Sequence, residues 1–155
     1  MNKSKKNDSN PIDEALANLA LKNIRLKSIR CENFKFDMDL HQNDEYRILL
    51  KHNVVRSSLL ESTDHKQHLL RVLLSYGVKW VSKEDSSDEL AIIEAEYLAE
   101  YKLKDKISHD AIDAFCLKNV GHNVWPYWRE FVSTTSQKLG IPHLTLPLQK
   151  PIKSS

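Results

Sequence analysis

The sequence predicts an antiparallel α+β domain: a four-stranded antiparallel sheet followed by two C-terminal helices packed on one of its faces. Three observations carry that expectation. Apolar and polar residues alternate in several segments between Ile24 and Leu103, the segments are separated by short polar stretches, and the period changes to a helical one after Ser108. Gly140 and Pro142 then close the helical pattern.

Taken in order, PIDEALANLAL (11–21) places helix formers behind a proline and reads as a short helical lead-in. From Leu21 to Leu40 the chain reads as one long strand with an irregularity. Ile24, Leu26 and Ser28 alternate with Arg25 and Lys27; after Cys31 the pattern resumes as Phe34, Phe36, Met38 and Leu40 against Lys35, Asp37 and Asp39. EYRILLKHNVVRSSLL (45–60) is the second strand, and STDHKQ a polar turn without the Asn-Gly pair of a tight hairpin. In HLLRVLLSYGVKWVS (68–82) Leu70, Val72, Leu74, Tyr76, Val78 and Trp80 define one apolar face, with Gly77 the expected place of a bulge. KEDSSDE is a solvated loop. AIIEAEYLAEYKLKD (91–105) is rich in helix formers, yet Ile93, Ala95, Tyr97, Ala99, Tyr101 and Leu103 hold six consecutive odd positions, so the period of two decides for a strand.

Ser108 is placed to cap SHDAIDAFCLKN, with Asp110 in its first turn and Ala111, Ile112, Phe115 and Cys116 on one side. Beyond Gly121, Asn123 is the expected cap of a longer helix with Pro126 in its first turn and Gly140 at its end. At 100° per residue, Tyr127 and Trp128 point away from Trp125 or Phe131, so part of this aromatic surface is expected to meet another chain. The segment after Gly140 is expected to be extended.

The 155 residues suit one domain over 11–147, between a disordered basic tail (1–10) and a flexible C-terminal tail (148–155). The net charge is +2, but residues 11–149 contain 18 basic and 20 acidic side chains, so the positive excess lies in the tails. That weakens a nucleic-acid reading of the folded part, which nonetheless stands as the alternative of another class, with tails and strand lysines as its contacts. Three glycines and the absence of GxGxxG or GxxxxGK[ST] argue against a phosphate cradle. Cys31 and Cys116 make no disulfide framework, the N-terminus lacks the apolar core of a signal peptide, and no run approaches the roughly 20 apolar residues of a membrane span. The expectation is a cytoplasmic protein with reduced thiols and no membrane insertion.

No pattern points to catalysis, a metal or another cofactor. Cys116, His122 and His109 lack the spacing of a zinc site, and a core cysteine explains Cys116 better. His109, Asp110 and Asp113 read as exposed charges at a helix start. Ser133, Thr134, Thr135 and Ser136 have no nucleophile elbow around them. The lysines and arginines of the first two strands read as the solvated face of a sheet.

NVWPYWRE followed by GIPHLTLP resembles the SecB family of export chaperones. Trp125, Pro126, Tyr127, Arg129 and Glu130 match that family's aromatic-Pro-aromatic-x-Arg-Glu helix start, and Pro142, Leu144 and Leu146 match its P-x-L-x-L segment. The likeness covers 21–147 and is strongest in the last third. It implies a homotetramer, a dimer of dimers, that holds non-native polypeptides such as preproteins for export, without nucleotide or metal. On this resemblance Phe34, Phe36, Trp80, Tyr127, Trp128 and Phe131 are the client-contact candidates. Ile112, Phe115 and Cys116 would lie at the subunit interface. Asp37 and Glu94 match acidic residues that engage the SecA motor, whereas Asn33 stands where another acid is expected. The family's extra C-terminal helix is replaced by LQKPIKSS, and its usual acidity by basic tails. SecB-like proteins also serve as dedicated chaperones of antitoxins, which is the alternative partner class.

Overall fold

Period-two alternation becomes strand pairing in the computed structural model, which describes residues 10–37 and 45–148. The elements are α1 (Pro11–Asn18), β1 (Leu19–Asn33), β2 (Tyr46–Glu61), β3 (His68–Ser82), β4 (Glu89–Leu103), α2 (His109–Lys118) and α3 (Val120–Lys138). The four strands form one antiparallel sheet in the order β1-β4-β3-β2. The α+β class, the strands at 45–60, 68–82 and 91–105, and the two helices behind them are all present. Met38, Leu40, most of the expected N-terminal tail and nearly all of the C-terminal one lie outside the described residues.

β1 departs from its expected course. It ends at Asn33, not Leu40, because the Asn33 side chain closes a turn. Its Oδ1 accepts the Phe36 N–H at 2.8 Å, while its Nδ2 donates to the carbonyls of Phe36 (3.0 Å) and Leu139 (3.3 Å). A short polar side chain has outcompeted the ladder for local backbone groups. Two bulges lie further back, one between Leu21 and Asn23 and one between Leu26 and Ser28. Each inserts a lysine, so Leu21, Ile24, Leu26, Ile29 and Cys31 all lie opposite residues of one β4 face: Tyr101, Ala99, Tyr97, Ala95 and Ile93. Ser28, expected in step with Ile24 and Leu26, is instead opposite Glu96 on the other face. Gly77 marks no bulge. It pairs in regular register with Lys51 and Glu94, and the remaining irregularities fall at Val54/Arg56 and at Trp80/Val81.

The apolar face of β3 and β4 meets the helices. Tyr76 stacks on Trp128 with ring centroids 5.4 Å apart, and Tyr101 meets Phe115 edge-on at 4.8 Å. Ser108 caps α2 as expected, its Oγ accepting the Ala111 N–H at 3.2 Å. Glu14 of α1 accepts from the Ser108 amide and hydroxyl, both at 3.0 Å, which ties α1 to the start of α2. Asn123 is not the cap of α3. The buried stripe Val120, Val124, Trp128, at four-residue spacing, draws the helix start back to Val120. Asn123 then lies inside the helix and donates to the Tyr101 hydroxyl at 2.8 Å, and Pro126 lies beyond the first turn. Trp125 and Trp128 are both buried, three residues apart on one face, so of the aromatics expected to diverge only Tyr127 points fully outward.

Gly140 ends α3 as expected, with φ +65° and the paired bonds Gly140 N–H to Gln137 C=O (3.1 Å) and Ile141 N–H to Ser136 C=O (3.3 Å). The following segment straps α3. Trp125 Nε1 donates to the Pro147 carbonyl and Arg129 Nε to that of Leu146, each at 2.8 Å, with Ile141 and Leu146 buried beneath.

Candidate functional site

A helix with its side chains is about 10 Å across, and strands are spaced about 4.8 Å apart, so one helix covers about two strands. Here α3 packs on β4 and β3, α2 reaches only part of β2, and α1 packs chiefly on α2. The outer strands are left open. On β1, Leu21, Leu26 and Ile29 face the helix side yet are exposed, Ile29 by 56%. On β2, Leu50 (55%) and Leu59 do the same, while Leu49 and Leu60 are exposed on the opposite face. The result is two apolar strips flanking the helix layer. A cavity lined by Leu59, Leu60, His68, Leu103 and Ile107 closes the end of the second strip.

Such strips suit reversible contact with an extended apolar segment. Covering one leucine gains about 1.5–3 kcal/mol at most, and a few such contacts must still offset the ordering of a flexible partner.

On the other face the lysines and arginines of the first two strands are solvated, as expected, and charged side chains lie over the buried Leu73, Val81 and Ile92. Glu100, nearly fully buried, accepts Arg25 at 3.2 Å and Arg71 at 3.1 Å. Lys27 lies 3.9 Å from Glu96, and Lys79 pairs with Glu89.

The six client-contact candidates separate by burial into three groups. Tyr127 is half exposed on α3, and Phe34 is partly exposed in the turn after β1, its ring centroid 6.0 Å from the Arg30 guanidinium. Phe131 is half-buried and stacks on Trp128 at 6.2 Å. Phe36, Trp80 and Trp128 lie in the core of the protomer, Phe36 edge-on to Tyr46 at 5.4 Å. Ile112, Phe115 and Cys116 are likewise buried within the protomer, and the outward apolar residue of α2 is Leu117, 74% exposed. Asp37 is exposed beyond the β1 turn, and Glu94 lies within β4 opposite Arg30.

The chemistry-bearing residues do not converge. His109, Asp110 and Asp113 are exposed along α2, and among the described residues no three His, Cys, Asp or Glu side chains are placed to hold one metal ion. Burial pushes the Cys116 thiol up to about 11, only partly offset by its hydrogen bond with Ser57. Burial also raises Cys31, so neither thiol is a ready nucleophile at neutral pH. Ser133 Oγ lies 2.9 Å from His143 Nε2, a contact that joins the strap to α3.

The strip residues Leu21, Ile29, Leu50 and Leu59 were not singled out by sequence. Alternation assigns them a face but not a neighbour, and the strand order that leaves them open is a tertiary property.

No family model and no curated protein matches this sequence. Among solved structures, the fold matches that of Rv1957, a SecB-like chaperone of Mycobacterium tuberculosis, in complex with a ChAD peptide from the HigA1 antitoxin Rv1956. The TM-score is 0.72 at 16% identity, over 92% of this chain and 99% of that one. A protein of unknown function from Streptococcus agalactiae aligns with TM-score 0.47 at 8% identity, over 83% of this chain and 96% of that one. The fold is SecB-like.

Proposed function

We propose that this SecB-like fold serves as a chaperone that holds non-native polypeptide and performs no chemistry on it. The observation that supports this most directly is the pair of uncovered apolar strips on β1 and β2, on the same side of the sheet as the helices. The exposed rings of Tyr127 and Phe34 offer additional aromatic contact area. Of the client-contact candidates, Phe36, Trp80 and Trp128 would act as the rigid floor beneath the contact surface.

The oligomer belongs to the same proposal. In the isolated protomer no residue of β1 or β2 is buried, which favours further burial in a dimer of dimers, with Leu117 on α2 as an additional contact. Several weak sites on one assembly would hold a long chain by avidity. The proposed compartment is the cytoplasm; among the described residues no helix is long and apolar enough to cross a membrane. Coupling to SecA through Asp37 and Glu94 is the weaker extension, because Arg30 lies opposite Glu94 and Asn33 is engaged in its turn.

A second reading is narrower: a chaperone dedicated to one antitoxin rather than to exported preproteins in general. The peptide bound to the Mycobacterium tuberculosis relative in fold favours it.

Refolding of a slow-folding model protein, with and without the purified chain, tests both readings when the chain's mass is read by light scattering. Arrest of refolding at near-stoichiometric tetramer supports the general holdase. Unimpeded refolding sinks that reading and leaves the dedicated one, to be tested with antitoxin peptides.

A further inference from the structure

We propose that the free edge of β2 adds an extended partner segment to the sheet as a fifth strand, and that this segment carries acidic residues on one face and apolar residues on the other. The inference rests on the polypeptide-binding reading and names the chemistry of the partner.

β2 is paired on one side only, to β3, and its other side offers unpaired backbone N–H and C=O groups. Its two faces differ in charge, although Leu49 and Leu60 also lie exposed on the side away from the helices. Leu50, Val54 and Leu59 share the helix side, while Arg47, Lys51 and Arg56 share the opposite side. The three cations lie across from Val81, Gly77 and Leu73 of β3, none of which can neutralise them; Glu94 and Lys51 flank Gly77 from its two sides without forming an ion pair. Their diagonal neighbours include Lys79 and Arg71, which are like charges already committed to Glu89 and Glu100. Arg47 donates to the Ser86 hydroxyl, and none of the three forms an ion pair among the described residues.

The opposite edge is different. On β1, Arg25 is paired with Glu100 and Lys27 with Glu96. Lys22 and Arg30 of β1 also form no ion pair among the described residues, but Arg30 lies opposite Glu94; on β2 all three cations of one face are without one, and this run of charge selects among possible occupants. A second copy of β2, paired antiparallel, would bring one basic ladder against another, which is unfavourable. An acidic strand supplies the missing partners. Because one residue is spent in the bulge between Val54 and Arg56, the three cations recur at an effective spacing of four. The matching segment places acids four residues apart, with apolar residues on its other face against Leu50, Val54 and Leu59.

The test uses the full chain and labelled eleven-residue peptides of alternating valine and threonine, with glutamate at the second, sixth and tenth positions. Control peptides carry lysine at those positions, or N-methyl groups on the edge that would pair with β2. Anisotropy titration at low salt is expected to give about tenfold tighter binding of the glutamate peptide than of the lysine peptide, from three favourable cross-strand pairs. N-methylation is expected to abolish the difference, and the variant Arg47→Glu/Lys51→Glu/Arg56→Glu to invert it. Equal affinity for the two charged peptides on the unaltered chain overturns the proposal without any variant. A preference that persists after charge reversal or N-methylation overturns it too. The cations would then serve only to repel edge-to-edge association, and the reversed variant would show a raised particle mass. If refolding is still arrested while the peptides bind equally, the holdase reading survives and the acidic-strand inference alone is lost.

Discussion

The inner and outer strands of this sheet are nearly equal in length and opposite in fate. β3 and β4 each bury nine of their fifteen residues, whereas β1 and β2 bury none. Composition does not explain the contrast: Leu70 and Leu74 vanish into the core, while Leu50 and Leu59 of the neighbouring strand face the same side and stay exposed. Position within the sheet decides whether a leucine stabilises the fold or waits for a partner. The centre carries the stability, and the margins carry the contacts.

Four experiments press on that division. Trp128→Ala empties the centre of the core, where the ring stacks on Tyr76 and Phe131, and is expected to cost about 3–5 kcal/mol by urea denaturation. A cost under about 1 kcal/mol would mean that the inner strands are not where stability resides. Next in size is Glu100→Ala, which leaves Arg25 and Arg71 facing each other across β4. Because both arginines are partly exposed and can rehydrate, the expected cost is about 1–3 kcal/mol, and added salt should recover part of it.

Alkaline titration comes third. Burial raises Tyr76, Tyr97 and Tyr101 above the ordinary 10.0, Tyr101 to about 12, and Cys116 above its ordinary 9.0. The folded state thus favours their neutral forms. Stability should be intact below the ordinary values and decline as pH rises from about 9 towards 12. The denaturation midpoint is expected to be lower at pH 11 than at pH 8, and a flat profile would contradict the burial of these side chains. The smallest effect on stability, within about 0.5 kcal/mol, is expected from Leu26→Ser combined with Leu50→Ser on the open strips. The same pair should weaken capture of an unfolded client several-fold; unchanged capture would move the contact surface elsewhere.

Sequence made the centre legible because β3 and β4 are inner strands whose alternation is uninterrupted over Leu70–Trp80 and Ile93–Leu103. The margins were harder to read. The lysines inserted in β1 break the simple period, so Ser28 was assigned to the face that Ile29 occupies. Phe34 and Phe36 keep a perfect alternation yet form no strand, because the Asn33 side chain reaches the backbone first. The α3 start differs from the expected one for a related reason: Asn123 has the chemistry of a cap but donates to Tyr101 instead. As for the candidate site, sequence directed attention to the largest aromatics, and those are the residues a core recruits first. The smaller Leu and Ile side chains of the strips are visible only once strand order is known.

The bulge at Lys27 also bears on how the gene can change length. Losing one residue from a strand ordinarily turns every later side chain to the wrong face. Here, excision of the Lys27 codon would leave Leu26, Ser28 and Ile29 in unbroken alternation, with Leu26 and Ile29 still facing the helices and Ser28 still facing away. At this point β1 carries one spare residue, and a deletion that would wreck β3 or β4 would cost β1 only the Lys27–Glu96 contact.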